Sequence, residues 1–419
     1  MTGHEMESAQ QGYALVELHN LAHLSAVYGD EFGVAAMRVL QWRVTQAGGA
    51  VALVVDDNRF LARLPLPRPL GEAPGHTAVP LEEARFASPA ERWHAQLTRT
   101  PLKFGARQAL PVLTVTTVGK TAPGANESSD LWALQALENH EPAITPLAPV
   151  RHTENWRRRY AEQMGIAVAF HQALTQNQAS LVFQPIVQST NHDHVLYQEA
   201  LLRLAGDSRL TAMRVVPILE QVGVVGTLDH VVITAVINRL QEAPTLHLGC
   251  NLSALSLAPH GWWDGPLARL AAQPELAARL TLEITETAPL ADGLGAVAFT
   301  RRLRALGCQI ALDDFGAGYT SLAFALAVKP QVIKIDAALV RAATDSGNAA
   351  GRLVGLAAFC RSLAPEIVAE GIENDADIRA AAAAGIDWLQ GRRVAPPMST
   401  HPRASLCAPA HALMECPYD

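Results

Sequence analysis

Eight short apolar runs from Leu181 onward decide the fold. They are LVFQPIV (181–187), YQEALLRL (197–204), LHLGCNLS (246–253), LTLEITE (280–286), QIALDDF (309–315), VIKID (332–336), EIVAEGI (366–372) and IDWLQG (386–391). Candidate helices such as LDHVVITAVINRLQ (228–241) lie between them. Alternation sustained this long predicts a largely parallel sheet closed into a (β/α) barrel of ~250 residues. Only the first two runs are close enough for a hairpin, so we expect that pair to be antiparallel.

Polar residues stand where these runs end, strand after strand. They are Glu199, Asn251, Glu283, Glu286, Asp313, Asp314, Lys334, Asp336, Glu370, Glu373 and Gln390. One acidic residue after a strand is typical of a helix cap or a loop charge, but repetition over most strands makes independent capping a poor account. Because a barrel brings the carboxyl ends of its strands to one mouth, we expect these residues to converge.

So many carboxylates at one mouth would repel one another strongly without a cation. Hard divalent ions with oxygen ligands are the usual partners, and the lack of paired His or Cys among these positions favours Mg²⁺ or Mn²⁺ over zinc. Two such ions suit phosphoester hydrolysis, because together they activate a water and stabilise the leaving oxygen. Lys334 adds a fixed positive charge for water or phosphate oxygens.

The strings at these strand ends resemble the EAL-type cyclic di-GMP phosphodiesterase domain. They are Gln184-Pro185-Ile186, Glu199-Ala200-Leu201-Leu202-Arg203, Asn251-Leu252-Ser253, Glu283-Ile284-Thr285-Glu286, Asp313-Asp314-Phe315-Gly316-Ala317-Gly318-Tyr319, Lys334-Ile335-Asp336, Glu370-Gly371-Ile372-Glu373 and Gln390-Gly391. Each string alone is weakly specific, but all of them in order, from about Ala179 to Pro397, are very specific. The resemblance implies a modified TIM (β/α)8 barrel that hydrolyses cyclic di-GMP to linear pGpG with two Mg²⁺ or Mn²⁺ ions. It also implies that Ca²⁺ inhibits this hydrolysis.

The resemblance also implies a role for each matching residue. The metal ligands would be Glu199, Asn251, Glu283 and Asp313 for the first ion, with Asp313 bridging to a second ion. Asp314 and Glu370 would complete that second site or hold its water. Lys334 would orient the nucleophilic water, while Glu373 and Gln390 support the cluster and the substrate. The substrate would meet Gln184 at a guanine edge, Arg203 at a phosphate, and Leu202 and Asp336 nearby. Glu286 would anchor loop 314–321, which in such enzymes couples dimerisation to metal binding, so a homodimer through the barrel is expected.

Two segments depart from the family pattern, and both flank the expected nucleotide site. After Arg203 the family usually continues with Trp and a His-Pro turn, whereas this chain has Leu204-Ala205-Gly206-Asp207. After Gly391 an aromatic residue is usual, and this chain has Arg392-Arg393. The complete metal set favours turnover over the alternative of a non-hydrolysing cyclic di-GMP receptor, since such receptors typically lose a ligand or the loop motif. A barrel acting on another phosphoester stays open because of the two altered segments.

Residues 1–150 have an α+β pattern of their own, in which VALVVDDNRFLARLPL (51–66) predicts a hairpin. This segment resembles a degenerate GGDEF domain with Asp56-Asp57-Asn58-Arg59-Phe60 at the signature, where the glycines are lost and Arg59 replaces a metal-binding carboxylate. The string Gly29-Asp30-Glu31-Phe32 precedes a helix and is not the signature. We expect no diguanylate cyclase activity and a regulatory or dimerisation role, with GTP or another effector as the candidate ligand. An unrelated α+β sensor is the alternative.

The remaining boundaries and the cellular setting follow from composition. A connecting helix is expected over 151–178, the barrel over 179–400 and a peripheral tail over 401–419. The formal net charge of -7 disfavours a nucleic acid or an anionic membrane as partner. Five cysteines without a C-x-x-C pair predict a reduced chain. No signal peptide and no apolar run of ~20 residues is evident, so we expect a soluble cytoplasmic protein without a membrane span.

Overall fold

The computed structural model describes residues 11–65, 88–119, 127–138, 147–205, 210–285, 293–316, 322–345 and 347–399. These residues form two compact units. The first comprises the chain up to Val168 together with Pro259–Gly265, and the second comprises Ala169–Ala258 and the chain from Pro266 onward. The tail expected over 401–419 lies outside the described residues.

The first unit is an α+β structure with one main sheet. Its elements are β1 (Gln11–Leu18), α1 (Leu21–Tyr28), α2 (Asp30–Gln46), β2 (Ala50–Val54), β3 (Arg59–Pro65), α3 (Pro89–Thr98), β4 (Leu102–Phe104), β5 (Arg107–Ala109), β6 (Leu113–Gly119) and α4 (Glu127–Glu138). The sheet is antiparallel with the strand order β2-β3-β1-β6, and β4 pairs with β5. The hairpin expected over 51–66 is present as β2 and β3. Tyr13, Leu15 and Leu61 of the sheet pack with Ala133 and Leu137 of α4.

The Gly29-Asp30-Glu31-Phe32 string forms the start of a helix. Gly29 precedes α2 with a φ of +98°, a conformation that suits glycine. Asp30 and Glu31 lie in the first turn of α2, where the helix dipole favours negative charge. The sequence placed this string before a helix that starts at Phe32, whereas in the structure α2 already begins at Asp30 and includes three of the four residues.

The second unit contains the predicted strand and helix alternation. The long helix α5 (Glu154–Thr175) leads into it. The following elements are β7 (Ala179–Gln188), β8 (Asn191–Leu204), α6 (Ala212–Val222), α7 (Val225–Glu242), β9 (Leu248–Ser253), α8 (Asp264–Ala272), α9 (Pro274–Ala277), β10 (Leu280–Thr285), α10 (Gly293–Ala305), β11 (Gln309–Phe315), α11 (Leu322–Val328), β12 (Val332–Ile335), α12 (Ala337–Asp345), α13 (Gly347–Arg361), β13 (Glu366–Ala369), α14 (Asp375–Ala383) and β14 (Trp388–Leu389). Among the helices that the structure describes, none has an apolar stretch long enough to cross a membrane.

Strands β7 to β14 close into an eight-stranded barrel, which confirms the predicted fold class. Strand β7 runs antiparallel to both of its neighbours, β8 and β14, and the other neighbouring pairs are parallel. The expected antiparallel first pair is therefore confirmed. One buried apolar cluster is shared by six of the strands and consists of Ile186, Tyr197, Ala311, Val332, Val368 and Trp388. The parallel strands direct their carboxyl ends to one mouth, where the polar residues lie.

Candidate functional site

Carboxylates of strands β8, β10 and β11, together with Glu370 directly after β13, lie close together at this mouth. Oxygen atoms of Glu199, Glu283 and Asp313 all lie within 4.8 Å of one another, and so do oxygen atoms of Asp313, Asp314 and Glu370. Asp313 belongs to both groups. Two neighbouring oxygen-lined positions that share one carboxylate are the arrangement that a pair of divalent ions requires.

Lys334 of β12 lies among these carboxylates. Its Nζ is 2.6 Å from Glu283 Oε2, 2.8 Å from Glu370 Oε1, 2.9 Å from Asp313 Oδ1 and 3.1 Å from Glu199 Oε2. The Lys334 side chain is only 1% exposed. Burial alone would lower the pKa of Lys334, but the surrounding carboxylates raise it well above its ordinary value. Lys334 is therefore a fixed positive charge at neutral pH.

A single ammonium does not balance the negative charge of the cluster. Burial and the neighbouring Glu199 carboxylate raise the pKa of Glu283 well above its ordinary value. Burial and a neighbouring aspartate do the same to Glu370. At Glu199 the pKa is lowered, because Lys334 and the hydrogen bonds to its carboxylate outweigh its burial. The cluster thus retains sites where a further cation would displace protons.

Two amide side chains hold Glu199 in place. Asn251 Nδ2 donates to Glu199 Oε1 at 2.6 Å, and Gln390 Nε2 donates to Glu199 Oε2 at 2.5 Å. The buried oxygens Gln390 Oε1 and Glu283 Oε1 have no hydrogen-bond partner among the described residues. A buried acceptor without a partner is costly. These orphaned oxygens and the all-oxygen donor set fit a hard divalent cation such as Mg²⁺ or Mn²⁺.

A bulge lets two consecutive aspartates serve one site. In a regular strand Asp313 and Asp314 would face opposite sides of the sheet. The pairing of β11 with β12 shifts register between Leu312 and Phe315, and Asp314 has a φ of +52°. The bulge turns both carboxylates toward the group that they form with Glu370. Burial, with Asp313 as the next cause, raises the pKa of Asp314 to about 6.

Room for Glu283 depends on a glycine in the neighbouring strand. A Cβ on Gly249 would lie 2.5 Å from Glu283 Oε1 and 2.4 Å from Cε2 of Tyr197. Both distances are well inside van der Waals contact, so any larger residue would displace one of these side chains. Neither Gly249 nor Tyr197 stood out in the sequence as a site residue. The available signal is their place on β9 and β8, next to strand residues expected at the mouth.

The residues expected to meet substrate around Glu199 have other partners in the structure. Gln184 pairs with Glu199 across β7 and β8 and is buried, and its Nε2 donates to the carbonyl of Ala395 at 3.0 Å. Arg203 is exposed four residues after Glu199, and its guanidinium donates to the carbonyl of the half-buried Leu202 at 2.9 Å.

Three further site residues belong to neither carboxylate cluster found among the described residues or lie outside the described chain. Asp336 is half-buried, and its Oδ1 accepts from the backbone N–H two residues on, at the start of α12. Glu373 is exposed and belongs to neither carboxylate group found among the described residues, while its backbone N–H donates to Asp377 Oδ2 at 2.9 Å. Glu286 and residues 317–321 of the expected loop lie outside the described residues.

Comparison with known proteins identifies the family of the second unit. The sequence profile of the EAL domain matches residues 167–397. Cyclic di-GMP phosphodiesterase PdeF of Escherichia coli is 28% identical over 248 residues, which are 58% of this chain and 33% of PdeF. The bifunctional diguanylate cyclase/cyclic di-GMP phosphodiesterase MucR of Pseudomonas aeruginosa is 28% identical over 244 residues, which are 57% of this chain and 36% of MucR. The chain spans about a third of the length of these curated relatives.

Solved structures show the same likeness. The PaMucR phosphodiesterase in complex with c-di-GMP has a TM-score of 0.50 and 28% identity, and the match covers 56% of this chain and 98% of that one. The S helix–GGDEF–EAL part of Vibrio cholerae LapD, bound to c-di-GMP, has a TM-score of 0.50 and 16% identity over 92% of this chain and 89% of that one. The second match is evidence for the fold alone.

Proposed function

Because the chain belongs to the EAL-domain family, we propose that its barrel hydrolyses one phosphodiester bond of cyclic di-GMP to give linear pGpG. The observation that carries the proposal is the presence of two carboxylate clusters that share Asp313. One consists of Glu199, Glu283 and Asp313, and the other of Asp313, Asp314 and Glu370. An all-oxygen pair of this kind suits divalent-ion phosphoester chemistry. The activities for which PdeF and MucR are named suggest the substrate class.

In this proposal the cofactor is a pair of Mg²⁺ or Mn²⁺ ions. Glu199, Glu283 and Asp313, with Asn251, would hold one ion, and Asp313, Asp314 and Glu370 the other. The ions would supply an activated water and stabilise the leaving oxygen. Gln390 keeps Glu199 oriented through its amide hydrogen bond.

The chain's own ionisable groups divide the remaining work. Lys334, with its raised pKa, stays protonated and contributes charge rather than acting as a base. Glu370, whose Oε1 lies 2.8 Å from Lys334 Nζ, would complete the second metal position or hold its water. Arg203 spends one of its five N–H donors on Leu202, and we assign other donors of its exposed guanidinium to a substrate phosphate. Gln184, Leu202 and Asp336 complete the proposed substrate contacts.

We further propose that the first unit has no diguanylate cyclase activity. Arg59, which stands at the expected metal-ligand position, forms ion pairs with Asp56 at 2.7 Å and with Glu138 at 3.6 Å. The cavity beside Arg59 and Glu17 measures about 150 Å³. Sites for small ligands measure ~300–1,000 Å³. Incubation with GTP and Mg²⁺ is therefore expected to give no cyclic di-GMP, and its formation would show that Arg59 does not disable the hairpin.

A turnover assay tests the phosphodiesterase proposal. Purified protein with Mg²⁺ or Mn²⁺ is expected to convert cyclic di-GMP to pGpG. Chromatography of the nucleotides measures this conversion. Glu199→Ala should lower kcat/KM by about a thousandfold, because losing a metal-site interaction of ~4 kcal/mol changes the rate by three powers of ten. Glu242→Ala is the matched control, since Glu242 is an exposed carboxylate of the same unit paired with Arg239.

The outcome that contradicts turnover also identifies its replacement. Tight cyclic di-GMP binding without product at any metal concentration would exclude the enzyme and support the receptor alternative. Circular dichroism of Glu199→Ala must match the wild type for its loss of activity to count. If another phosphoester is cleaved and cyclic di-GMP is neither bound nor cleaved, the altered segments after Arg203 and Gly391 become the place to seek the new specificity.

A further inference from the structure

Two further buried carboxyl side chains lie in the barrel unit and belong to neither carboxylate cluster at the mouth. Glu220 of α6 is 7% exposed and Asp229 of α7 is 4% exposed. Both meet Ser253, the last residue of β9, which is itself 3% exposed. The Ser253 hydroxyl donates to Glu220 Oε1 at 2.6 Å, and the Ser253 backbone N–H donates to Asp229 Oδ2 at 3.2 Å. Two helices thus hold one strand end through carboxylate hydrogen bonds.

Hydrogen bonds extend this cluster into the turn after β9. The Ser253 hydroxyl accepts from the backbone N–H of Leu255 at 3.3 Å, and the Ser256 side chain hydrogen-bonds to Asp229. Burial raises the pKa of Asp229 to about 7 in spite of these bonds. Keeping a carboxyl group in such a place costs free energy that an apolar helix contact would not. The cluster therefore provides directional constraint rather than simple adhesion.

The constrained strand end is next to the metal site. Asn251 stands two residues before Ser253, and its amide donates to Glu199. In the ladder to β10, Asn251 pairs with Glu283. Two residues of extended strand span only ~7 Å, so a shift of Ser253 is passed to Asn251 with little damping. Helix α6 follows β8, the strand of Glu199, so the cluster ties together the two strands that carry Glu199 and Asn251.

We infer that Glu220, Asp229 and Ser253 are positioning residues that hold the end of β9 in the geometry that metal binding needs. The inference rests on the proposed metal-dependent function of the barrel. The three residues touch neither substrate nor metal in this assignment. They act through Asn251, whose amide must stay beside Glu199 for both to serve one ion.

Three variants test this role. Ser253→Ala removes the hydroxyl that donates to Glu220. Glu220→Gln is the conservative partner, because its amide oxygen still accepts from that hydroxyl. Ser362→Ala is the matched control, since Ser362 is an exposed serine of the same unit whose hydroxyl donates to the Phe359 carbonyl at 2.7 Å.

The main readout is Mn²⁺ binding without substrate, measured by electron paramagnetic resonance of the free ion. Ser253→Ala is expected to raise the Mn²⁺ dissociation constant ~10-fold or more, the range seen when groups that orient metal ligands are lost. Glu220→Gln should stay close to the wild type, and Ser362→Ala should match it. At saturating Mn²⁺ the KM for cyclic di-GMP should be unchanged in all three.

The outcomes separate this inference from the proposed function. A folded Ser253→Ala protein with wild-type Mn²⁺ affinity overturns the inference, even if its Tm falls, because a purely structural role would lower Tm alone. If Ser253→Ala does not fold, Glu220→Ala replaces it with the same expected loss of affinity. If the wild type binds no Mn²⁺, the proposed function fails and the inference with it. If the wild type binds Mn²⁺ and turns over cyclic di-GMP, the positioning role is contradicted only when Ser253→Ala, or Glu220→Ala in its place, binds Mn²⁺ as tightly as the wild type.

Discussion

The barrel mouth and the β2–β3 hairpin both have carboxylates around one basic side chain. The charges are buried at the mouth and exposed at the hairpin. Lys334 is 1% exposed and meets four carboxylates within 3.1 Å. Arg59 is 30% exposed and meets Asp56 and Glu138, which are 40% and 43% exposed. Water solvates the second group and is largely excluded from the first. The same kinds of charge therefore have very different consequences.

The difference teaches which cluster needs a cation from outside. At the hairpin, Arg59 lies beside its partners, and water screens what remains. At the mouth, one ammonium faces several buried carboxylates, and the pKa values of Glu283 and Glu370 are raised by burial and by their neighbours. Divalent ions would invert that local field. Part of the formal net charge of -7 thus comes from buried carboxylates that could bind a cation.

The largest expected effect comes from removing the ammonium at the mouth. In metal-free buffer at pH 8, Lys334→Met is expected to lower the free energy of unfolding by about 3–5 kcal/mol, because it leaves buried carboxylates without their partner. Added Mn²⁺ should restore part of the loss. Urea unfolding followed by circular dichroism measures both.

The matched control for this variant is Lys329→Met. Lys329 is an exposed lysine of the same unit, five residues earlier in the chain. Its substitution should change stability little, as is usual for surface positions. If Lys334→Met were no less stable than Lys329→Met without metal, burial would not be what separates the mouth from the hairpin.

The next effect is stabilisation by the metal itself. At a free Mn²⁺ concentration roughly a hundredfold above its dissociation constant, the barrel should gain about 2.7 kcal/mol, or roughly 5–10 °C in Tm. EDTA should reverse the shift. Asp313→Asn should abolish it, while Asp56→Asn at the hairpin should keep it, because among the described residues Asp313 is the one shared by both carboxylate clusters.

The metal shift should also depend on pH, with a sign fixed by the raised pKa values. Glu283 and Glu370 keep protons to higher pH in the metal-free fold, so their contribution to stability is present below their ordinary pKa and is lost as pH rises through the raised one. Metal binding must displace those protons, so the shift in Tm should be larger at pH 8 than at pH 5.5. A shift that is equal at both pH values would contradict the raised pKa values.

Much of the fold and of the site could be predicted from the sequence because a parallel barrel turns position into proximity. Each of the eight apolar runs contains a strand, and because seven of these strands, β8 to β14, run parallel, residues at their carboxyl ends had to meet at one mouth. Glu199, Glu283, Asp313 and Glu370 do meet around Lys334. The convergence of these residues followed from their positions at strand ends alone, without regard to their spacing along the chain.

What could not be predicted depends on local irregularity and on contacts between distant elements. The bulge that aims Asp314 beside Asp313 has no periodic signature, and the fit of Gly249 against Tyr197 is a cross-strand property. The helix α3 did carry a signal. Ser88 precedes this helix and Pro89 is its first residue, and the Ser88 hydroxyl accepts a hydrogen bond from the backbone N–H of Glu91. Serine followed by proline is a pattern that marks a helix N-terminus.

The smallest expected effect concerns the hairpin and completes the comparison. In a double-mutant cycle of Asp56→Ala and Arg59→Ala, the coupling free energy should be about 1 kcal/mol or less, because both groups are solvated and the ion pair is screened. The same cycle with Glu199→Ala and Lys334→Met should give a larger coupling, since both partners are buried. Urea unfolding of the four proteins in each cycle measures these values. Equal couplings at the two places would mean that burial does not set the strength of these charge clusters, and the case for an external cation at the mouth would then rest on geometry alone.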